Sequence, residues 1–165
     1  MDYKYHIFAP YRVCPLGAHV DHQHGIVTGF AIDKGVDLWF TPADDGCVHL
    51  ESRTFEGTVD FDITQASMMK QHNWGDYARG AKYALRKRFA LKYGITGVIQ
   101  GSLPVGGLSS SAAVLIAYVM AFAKANAIEL EPFEIVKIAS EAEREYIGPV
   151  SYTHLRAHET VLDLV

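Results

Sequence analysis

Alternation of apolar and polar residues dominates the N-terminal part of the chain and predicts β-strands. Between Tyr5 and about Phe61, the segments "GIVTGFAI" and "GVDLWFTP" are rich in β-branched and aromatic residues and have Gly or Pro at their ends. The segments "CVHLES" and "GTVDFDI" alternate apolar and polar residues and are separated by a glycine-containing turn. The pattern predicts an antiparallel meander.

Helical spacing replaces this alternation from Trp74 onward. The segment "WGDYARGAKYALRKRFA" predicts a helix to about Leu91, and "GITGVIQGSLP" predicts a further strand. A second helix over 109–126 is apolar nearly all round, so we expect it to be buried. A third helix begins with Pro132 at its first position and ends at Gly148. Strands followed by helices predict an α+β domain with a mixed or antiparallel sheet and helices on one face.

Composition narrows the classes of function. The chain has 165 residues, 49% hydrophobic residues and a net charge of −4, which suits a single globular domain. No basic run indicates nucleic acid or an anionic membrane as a partner. The apolar runs are too short to span a bilayer, and the N-terminus lacks the apolar core of a signal peptide. Cys14 and Cys47 fit no metal-ligand spacing and favour a reduced compartment, so we expect a cytoplasmic protein. Oligomeric state is not predicted.

The stretch "PVGGLSSSAAV" at 104–114 carries the strongest chemical signal. Paired glycines allow close backbone approach to a ligand, and Ser109–Ser111 fall at the start of a long helix. Free N–H groups and hydroxyls there suit a phosphate, and a serine oxygen suits Mg²⁺. A simple helix cap is the alternative, although one serine suffices for it. The stretch lacks the lysine of a P-loop and the second glycine of a nucleophile elbow.

This stretch resembles the ATP-phosphate loop of the GHMP kinases, whose usual form is P-x-G-x-G-L-S-S-S-A. The loop here is one residue shorter between Pro104 and Leu108. The resemblance implies a fold like domain 2 of ribosomal protein S5, with ATP and Mg²⁺ as ligands. The implied ATP-binding residues of the loop are Pro104, Gly106, Gly107, Leu108, Ser109, Ser110, Ser111 and Ala112.

A second constellation, "PYRVCPLGAHVDHQHG", spans 10–25. Charged groups such as Arg12 and Asp21 suit bidentate hydrogen bonds to sugar hydroxyls. Solvated loop residues are one alternative, and a metal site built from neighbouring histidines and Asp21 is another. The segment resembles the sugar signature of galactokinases and is closer to that of galacturonokinases, with Ala18 in place of the galactokinase glutamate. The resemblance implies sugar binding by Arg12, His19 and Asp21. Loss of a carboxylate at position 18 suits a substrate that carries its own.

Two further segments match the same family. Trp74, Tyr77 and Gly80 resemble its W-x-x-Y-x-x-G pattern, which implies that Trp74 lies near the adenine. Periodicity alone favours a core aromatic pair at these positions. "AEREYIG" at 142–148 resembles the segment whose glutamate holds Mg²⁺, which implies Ser111 and Glu143 as metal ligands. Periodicity does not choose among the glutamates of this helix.

The resemblance implies an ATP-dependent sugar 1-kinase that phosphorylates the anomeric hydroxyl of galacturonate, or of galactose as in galactokinase proper. Arg12 would lie near the reacting hydroxyl. A non-catalytic sugar- or nucleotide-binding module is the alternative. The family's G-x-x-x-G-I-x-D-Q segment, whose aspartate is catalytic, does not follow Gly148. We therefore expect this chain to be inactive by itself.

The last residues differ in character from the rest. "SYTHLRAHETVLDLV" permits a short amphipathic helix, but it also resembles the translated read-through of a sequencing-library adapter. The resemblance to the kinases covers about Tyr5 to Gly148. We expect residues 1–148 to form a truncated GHMP kinase N-terminal domain and residues 149–165 to be a non-native tail.

Overall fold

Five strands and three α-helices make up the described part of the chain. The structure, a computed structural model, describes residues 2–16, 26–66, 69–103 and 110–148. The strands are β1 (Tyr5–Leu16), β2 (Thr28–Ala43), β3 (Cys47–Ser52), β4 (Thr58–Asp62) and β5 (Gly94–Gly101). The helices are α1 (Asp76–Arg86), α2 (Ser110–Ala125) and α3 (Pro132–Glu141), and a π-helix (Ala142–Ile147) continues α3. The predicted α+β class is confirmed.

Strand β5 lies in the middle of the sheet. The strand order is β1-β2-β5-β3-β4, with β5 antiparallel to β2 and parallel to β3. The predicted antiparallel meander is therefore wrong, because β5 separates the β1–β2 hairpin from the β3–β4 hairpin. Local alternation identifies a strand but not its neighbours, which long-range packing decides.

Strand β2 is 16 residues long and includes most of the two strand-like segments "GIVTGFAI" and "GVDLWFTP". In its second half, Val36, Leu38 and Phe40 are buried, while the residues between them are partly exposed. The buried face carries α2, which packs on β1, β2 and β5. This alternation places Val36, Leu38 and Phe40 on the helical side of the sheet and Trp39, which stacks on His6, on the opposite side.

Helix α2 is the central element of the helical layer, and its predicted burial is confirmed. Leu115, Tyr118 and Phe122 are each 0% exposed, and α1 and α3 both pack against the helix. A helix that is apolar nearly all round has no polar face for solvent, so it is stable only when other elements pack around it.

Helix boundaries differ from the predictions at three places. Helix α1 ends at Arg86 rather than near Leu91, and it begins after Trp74, which lies in the preceding turn. The helix predicted to run from Pro132 to Gly148 changes at Ala142 into the wider π form. Gly148 then ends it with a positive φ of 66°. No described helix combines the length and hydrophobicity needed to cross a membrane.

Candidate functional site

Two predicted site residues, Ser110 and Ser111, lie in the first turn of α2. Ser111 is 8% exposed, and its hydroxyl donates a hydrogen bond to Oε1 of Glu143 over 3.1 Å. Ser110 precedes it in the same turn, and Ala112 follows it and is buried. The positive end of the dipole of this 16-residue helix points toward the same place. A hydroxyl, a carboxylate and a helix N-terminus therefore converge there.

In the π-helix, Glu143 faces Ser111, whereas Glu141 and Glu145 contact lysine and arginine side chains. The wider turn of the π-helix is seen in the hydrogen bond from the Gly148 N–H to the Glu143 carbonyl, which spans five residues. Glu141 forms ion pairs with Lys87 and Arg88 at 2.7 and 2.6 Å. Glu145 is exposed and pairs with Lys87. The contact with Ser111 thus distinguishes Glu143 from Glu141, which pairs with Lys87 and Arg88, and from the exposed Glu145.

A cavity of about 630 Å³ extends from the start of α2. Ser110 and Ser111 line one end, and Trp74, Tyr77 and Phe55 are among the aromatic side chains of its wall. Most of the described lining is apolar, with a few polar groups among it. A cavity of this size and character is typical of a site for a drug-sized or nucleotide-sized molecule. We call it the aromatic cavity.

Tyr118 forms part of the wall of the aromatic cavity, seven residues along α2 from Ser111. Its side chain is 0% exposed, and burial raises the pKa of its phenol. Within the described segments its hydroxyl has no hydrogen-bond partner. The sequence did not predict this residue, because a single tyrosine within an apolar helix is typical of an ordinary core position.

The loop before α1 supplies lining residues that the sequence did not reveal. Lys70, His72, Asn73 and Asp76 all border the aromatic cavity. The Asp76 carboxylate accepts hydrogen bonds from the backbone N–H groups of Gln71 and His72, at 3.0 and 2.8 Å. These bonds fold the loop back onto the helix start and hold His72 at a φ of +56°. The only sequence signal was an acidic residue in the first helical turn, which ordinary helix capping also explains.

The side chain of Arg79 holds the same loop through three hydrogen bonds. Its Nη1 donates to Oδ1 of Asp76 and to Oδ1 of Asn73, both at 3.0 Å, and its Nη2 donates to Oε1 of Gln71 at 2.7 Å. Arg79 is 1% exposed, so these charge-assisted bonds lie in the protein interior. Trp74 therefore lies in a turn that is held by the buried ion pair between Asp76 and Arg79. Its own indole N–H donates to the Glu56 carbonyl at 3.2 Å.

Arg12 lies on β1, beside the aromatic cavity rather than in its described lining. Tyr11 lines the cavity, and both residues are buried although they are consecutive. The β1–β2 register shifts between Pro10 and Arg12, so the regular alternation of side chains is interrupted there. Burial and the nearby Asp37 raise the pKa of the Tyr11 phenol.

Several predicted site residues lie outside the described residues. They are His19, Asp21, Pro104, Gly106, Gly107, Leu108 and Ser109. The predicted tail from 149 to 165 also lies outside. The structure thus brings Ser110, Ser111 and Trp74 to one cavity, with Glu143 hydrogen-bonded to Ser111, and it places Arg12 on β1.

The chain is similar to known proteins over most of its length. The sequence model of a family described as "GHMP kinases N terminal domain" matches residues 76–153. A galacturonokinase of Arabidopsis thaliana is 42% identical over 161 residues, which cover 86% of this chain and 38% of that protein. A galactokinase of Thermococcus kodakarensis is 32% identical over 143 residues, which cover 86% of this chain and 40% of that protein. The chain spans about two fifths of the length of these relatives.

Solved structures share the fold. Lactococcus lactis galactokinase complexed with galactose has a TM-score of 0.84 at 26% identity, covering 98% of this chain and 41% of that one. Methanococcus jannaschii mevalonate kinase has a TM-score of 0.77 at 21% identity, covering 98% of this chain and 51% of that one.

Proposed function

The chain carries the N-terminal domain of the GHMP kinases, and from that premise we propose that it is the nucleotide- and sugar-binding part of an ATP-dependent sugar 1-kinase. The proposed reaction transfers the γ-phosphoryl group of ATP to the anomeric hydroxyl of galacturonate. The acceptor would be a small sugar acid in the cytoplasm. Neither nucleic acid nor a membrane takes part in this reaction.

The observation that carries the proposal is the 3.1 Å contact between the Ser111 hydroxyl and the Glu143 carboxylate. Mg²⁺ prefers oxygen ligands in an octahedron with metal–oxygen distances of about 2.05 Å, which puts adjacent ligand oxygens about 2.9 Å apart. The two side-chain oxygens already have nearly this spacing, and both belong to helical elements. A hydroxyl and a carboxylate are oxygen donors that fit a magnesium ion, which Ser111 and Glu143 would hold. When bound, the ion would neutralise charge on the transferred phosphoryl group.

Phosphate groups would lie at the N-terminus of α2. Ser110 and Ser111 would donate hydrogen bonds there, and the helix dipole would favour their negative charge. The preceding glycines, Gly106 and Gly107, would allow the backbone to approach the phosphates closely. Pro104, Leu108, Ser109 and Ala112 would complete the loop and its junction with the helix.

The adenine would occupy the aromatic cavity. Trp74 and Phe55 offer flat apolar surfaces there, and the cavity opens toward the first turn of α2. Polar groups of the 70–76 loop, among them Asn73, are available to bind the edge of the base. The phosphates and the base would thus share one continuous site, as an extended nucleotide requires.

The sugar would bind next to the β1 end of this site. Arg12 would orient the reacting hydroxyl toward the γ-phosphate, and its charge would stabilise the transition state. His19 and Asp21 would bind other hydroxyls of the sugar. Ala18 stands where galactokinases have a glutamate, which favours a uronate because no carboxylate repels the carboxylate of the substrate.

Catalytic turnover would require more than this chain. The sequence after Gly148 lacks the G-I-x-D-Q segment that supplies the catalytic aspartate in these kinases. We therefore propose that the 165-residue chain binds ATP with Mg²⁺ but transfers no phosphoryl group. Isothermal titration calorimetry with ATP, in the presence and absence of Mg²⁺, measures the binding directly.

A chimera tests the reaction and its substrate. Residues 1–148 would replace the matching part of an active galacturonokinase, and the product would be assayed with galacturonate and galactose. We expect ATP-dependent phosphorylation of galacturonate with the higher kcat/KM. Faster turnover of galactose would overturn the substrate assignment, and an inactive but folded chimera would overturn the kinase assignment.

A further inference from the structure

A second cavity, of about 280 Å³, is lined by Arg79, whose ion-pair partner Asp76 lines the aromatic cavity. Helix α1 supplies most of its lining through Arg79, Lys82, Tyr83, Arg86 and Lys87, which lie on one face of the helix. Tyr146 of the π-helix and an alanine after β4 complete the described lining. We call this the basic cavity because it combines four cationic side chains with no carboxylate among the described residues that line it.

Two of these cations are held by neutral groups. Lys82 is 2% exposed, and its Nζ donates to the backbone carbonyl of Asp62 at 2.7 Å. Arg86 donates through Nη1 to the carbonyls of Ile63, at 3.0 Å, and of Thr64. A carbonyl positions a cation without neutralising it, and the Asp62 carboxylate, whose hydrogen bonds go to Thr64, acts on Lys82 and Arg86 only through its charge. Burial and the charge of Arg86 lower the pKa of Lys82 to about 8, so an anion at this place would be favourable to both side chains.

The nearby carboxylates are engaged with other groups. Asp62 accepts hydrogen bonds from the N–H and hydroxyl of Thr64, and Asp76 binds the Nη1 of Arg79. Glu141 and Glu145 both pair with Lys87. Among the described lining cations, Lys87 has two carboxylate partners and Arg79 has one, whereas Lys82 and Arg86 donate hydrogen bonds to backbone carbonyls.

Arg79 supplies the observation that points to a ligand. Its Nη atoms bind the 70–76 loop, but its buried Nε has no hydrogen-bond partner in the described part of the chain. Buried polar groups are nearly always paired, and leaving a cationic N–H donor without an acceptor is costly. Because Arg79 also lines the basic cavity, an anion bound there can accept this hydrogen bond.

We propose that the basic cavity binds a phosphate dianion, either free or as the phosphate of a small phosphomonoester. Phosphate offers enough oxygens to accept bonds from Lys82 and from the Nε–H of Arg79 together. Its double negative charge suits a lining with several cations better than a single carboxylate does. The cavity of about 280 Å³ also leaves room for a small organic group on the ester.

This site is separate from the phosphate position at α2, and it does not depend on the proposed kinase activity. Its donors come from α1, whereas the other position is formed by the first turn of α2. Inorganic phosphate is expected to bind weakly at α2 as well, so an experiment must distinguish the two positions. Variants Lys82→Met and Ser111→Ala do so.

The test is a titration of the 165-residue chain with inorganic phosphate at constant ionic strength, with chloride as the balancing anion. The reported signal is the side-chain Nε–H resonance of Arg79 in a ¹H–¹⁵N spectrum. We expect a saturable shift of this resonance. Lys82→Met should weaken the apparent affinity for phosphate about tenfold or more, because a charge-assisted hydrogen bond is lost. Ser111→Ala and the helix-surface variant Lys137→Met should leave it unchanged.

Three outcomes would overturn the site: no saturable shift, equal affinity in Lys82→Met, or loss of the shift in Ser111→Ala. The Lys82→Met change keeps an unbranched side chain only one atom shorter and removes a buried charge, so thermal unfolding should show a folded variant. A parallel titration with glycerol phosphate separates the two sources of the ligand. Tighter binding of the ester than of inorganic phosphate identifies a phosphomonoester site, and the reverse order identifies a site for the free ion.

Discussion

Ser111 and Glu143 are 32 positions apart in the chain, yet the hydroxyl of the first donates to the carboxylate of the second over 3.1 Å. The contact joins the start of α2 to the π-helix, and both side chains are buried. A buried carboxylate favours a cation beside it, whereas the positive end of the α2 dipole favours the anionic phosphates. The pair therefore gives the most direct test of the magnesium assignment.

Glu143→Gln should weaken the magnesium-dependent part of ATP binding about tenfold or more, because a neutral amide replaces the anionic ligand. The amide oxygen still accepts the hydrogen bond from Ser111, so the fold should persist. Calorimetric titration with ATP at several Mg²⁺ concentrations measures the effect. Glu145→Gln, an exposed glutamate of the same π-helix, is the matched control. Equal behaviour of the two variants would contradict the assignment of Glu143 as a ligand.

Nucleotide binding should change the fluorescence of Trp74 and leave that of Trp39 unaltered. These are the two tryptophans of the chain. Trp74 lines the aromatic cavity, whereas Trp39 stacks on the His6 ring with centroids 4.9 Å apart. In a Trp39→Phe variant, ATP with Mg²⁺ should shift or quench the remaining emission.

The reciprocal variant, Trp74→Phe, provides the control for this measurement. Its remaining emission, from Trp39, should be insensitive to ATP. If calorimetry shows binding while the Trp74 emission stays constant, the base does not occupy the aromatic cavity.

Glu141 should make the stability of the domain depend on pH. Burial opposes the charged form of this residue, but Lys87 and Arg88 outweigh it and lower the pKa of Glu141 below its ordinary value. A folded-state pKa below the unfolded one means that the stabilisation is complete above the unfolded pKa. It is lost as the pH falls through the folded pKa.

The measurement is urea unfolding of the wild type and of Glu141→Gln from neutral pH down through the glutamate range. At neutral pH we expect the variant to lose about 1 kcal/mol, a modest value because its partners are exposed by 36% and 42%. The difference between the two proteins should shrink as the pH falls. Glu129→Gln, at an exposed position before α3, is the control. A difference that stays constant with pH would contradict the ion-pair explanation.

Gly94→Ala should destabilise the domain by about 3 kcal/mol, at the upper end of the cost of overpacking. Gly94 begins β5, and a Cβ atom there would lie 1.8 Å from the carbonyl oxygen of Cys47, at the start of β3. Only backbone movement relieves such a contact, so the parallel pairing of the two strands would be disturbed. Urea unfolding measures the loss.

Gly57→Ala is the comparison for this prediction. A Cβ atom at Gly57 meets nothing within 4 Å, so its φ of +84° is the main cost. We expect a loss of about 1 kcal/mol from the left-handed backbone. Equal losses in the two variants would show that crowding against Cys47 is unimportant.

The local pattern of apolar and polar residues was sufficient to predict the helices, the strands and the fold class. It was insufficient to predict the order of the strands in the sheet. The apolar run of α2 and Pro132 at the start of α3 depend only on neighbouring residues; α2 lies close to its predicted range, and α3 begins at its predicted residue. The insertion of β5 between two hairpins depends on contacts between distant segments, which no local period records.

Site residues follow the same rule. The serines of α2 could be found because a helix start has its own signature. Periodicity could not single out Glu143 from Glu141 and Glu145, because only the π-helix and the position of Lys87 and Arg88 just after α1 separate them. The 70–76 loop was missed because its shape comes from Asp76 and Arg79, which pattern alone assigns to an ordinary helix surface.

The central place of β5 also sets the order in which the domain can assemble. During synthesis, both hairpins are complete once Asp62 has left the ribosome, but the strand that joins them ends only at Gly101. Until then, the inner edges of β2 and β3 have no neighbour to accept or donate their backbone hydrogen bonds. The nascent chain thus passes through an interval with two open sheet edges, in which pairing with another chain competes with the arrival of its own fifth strand.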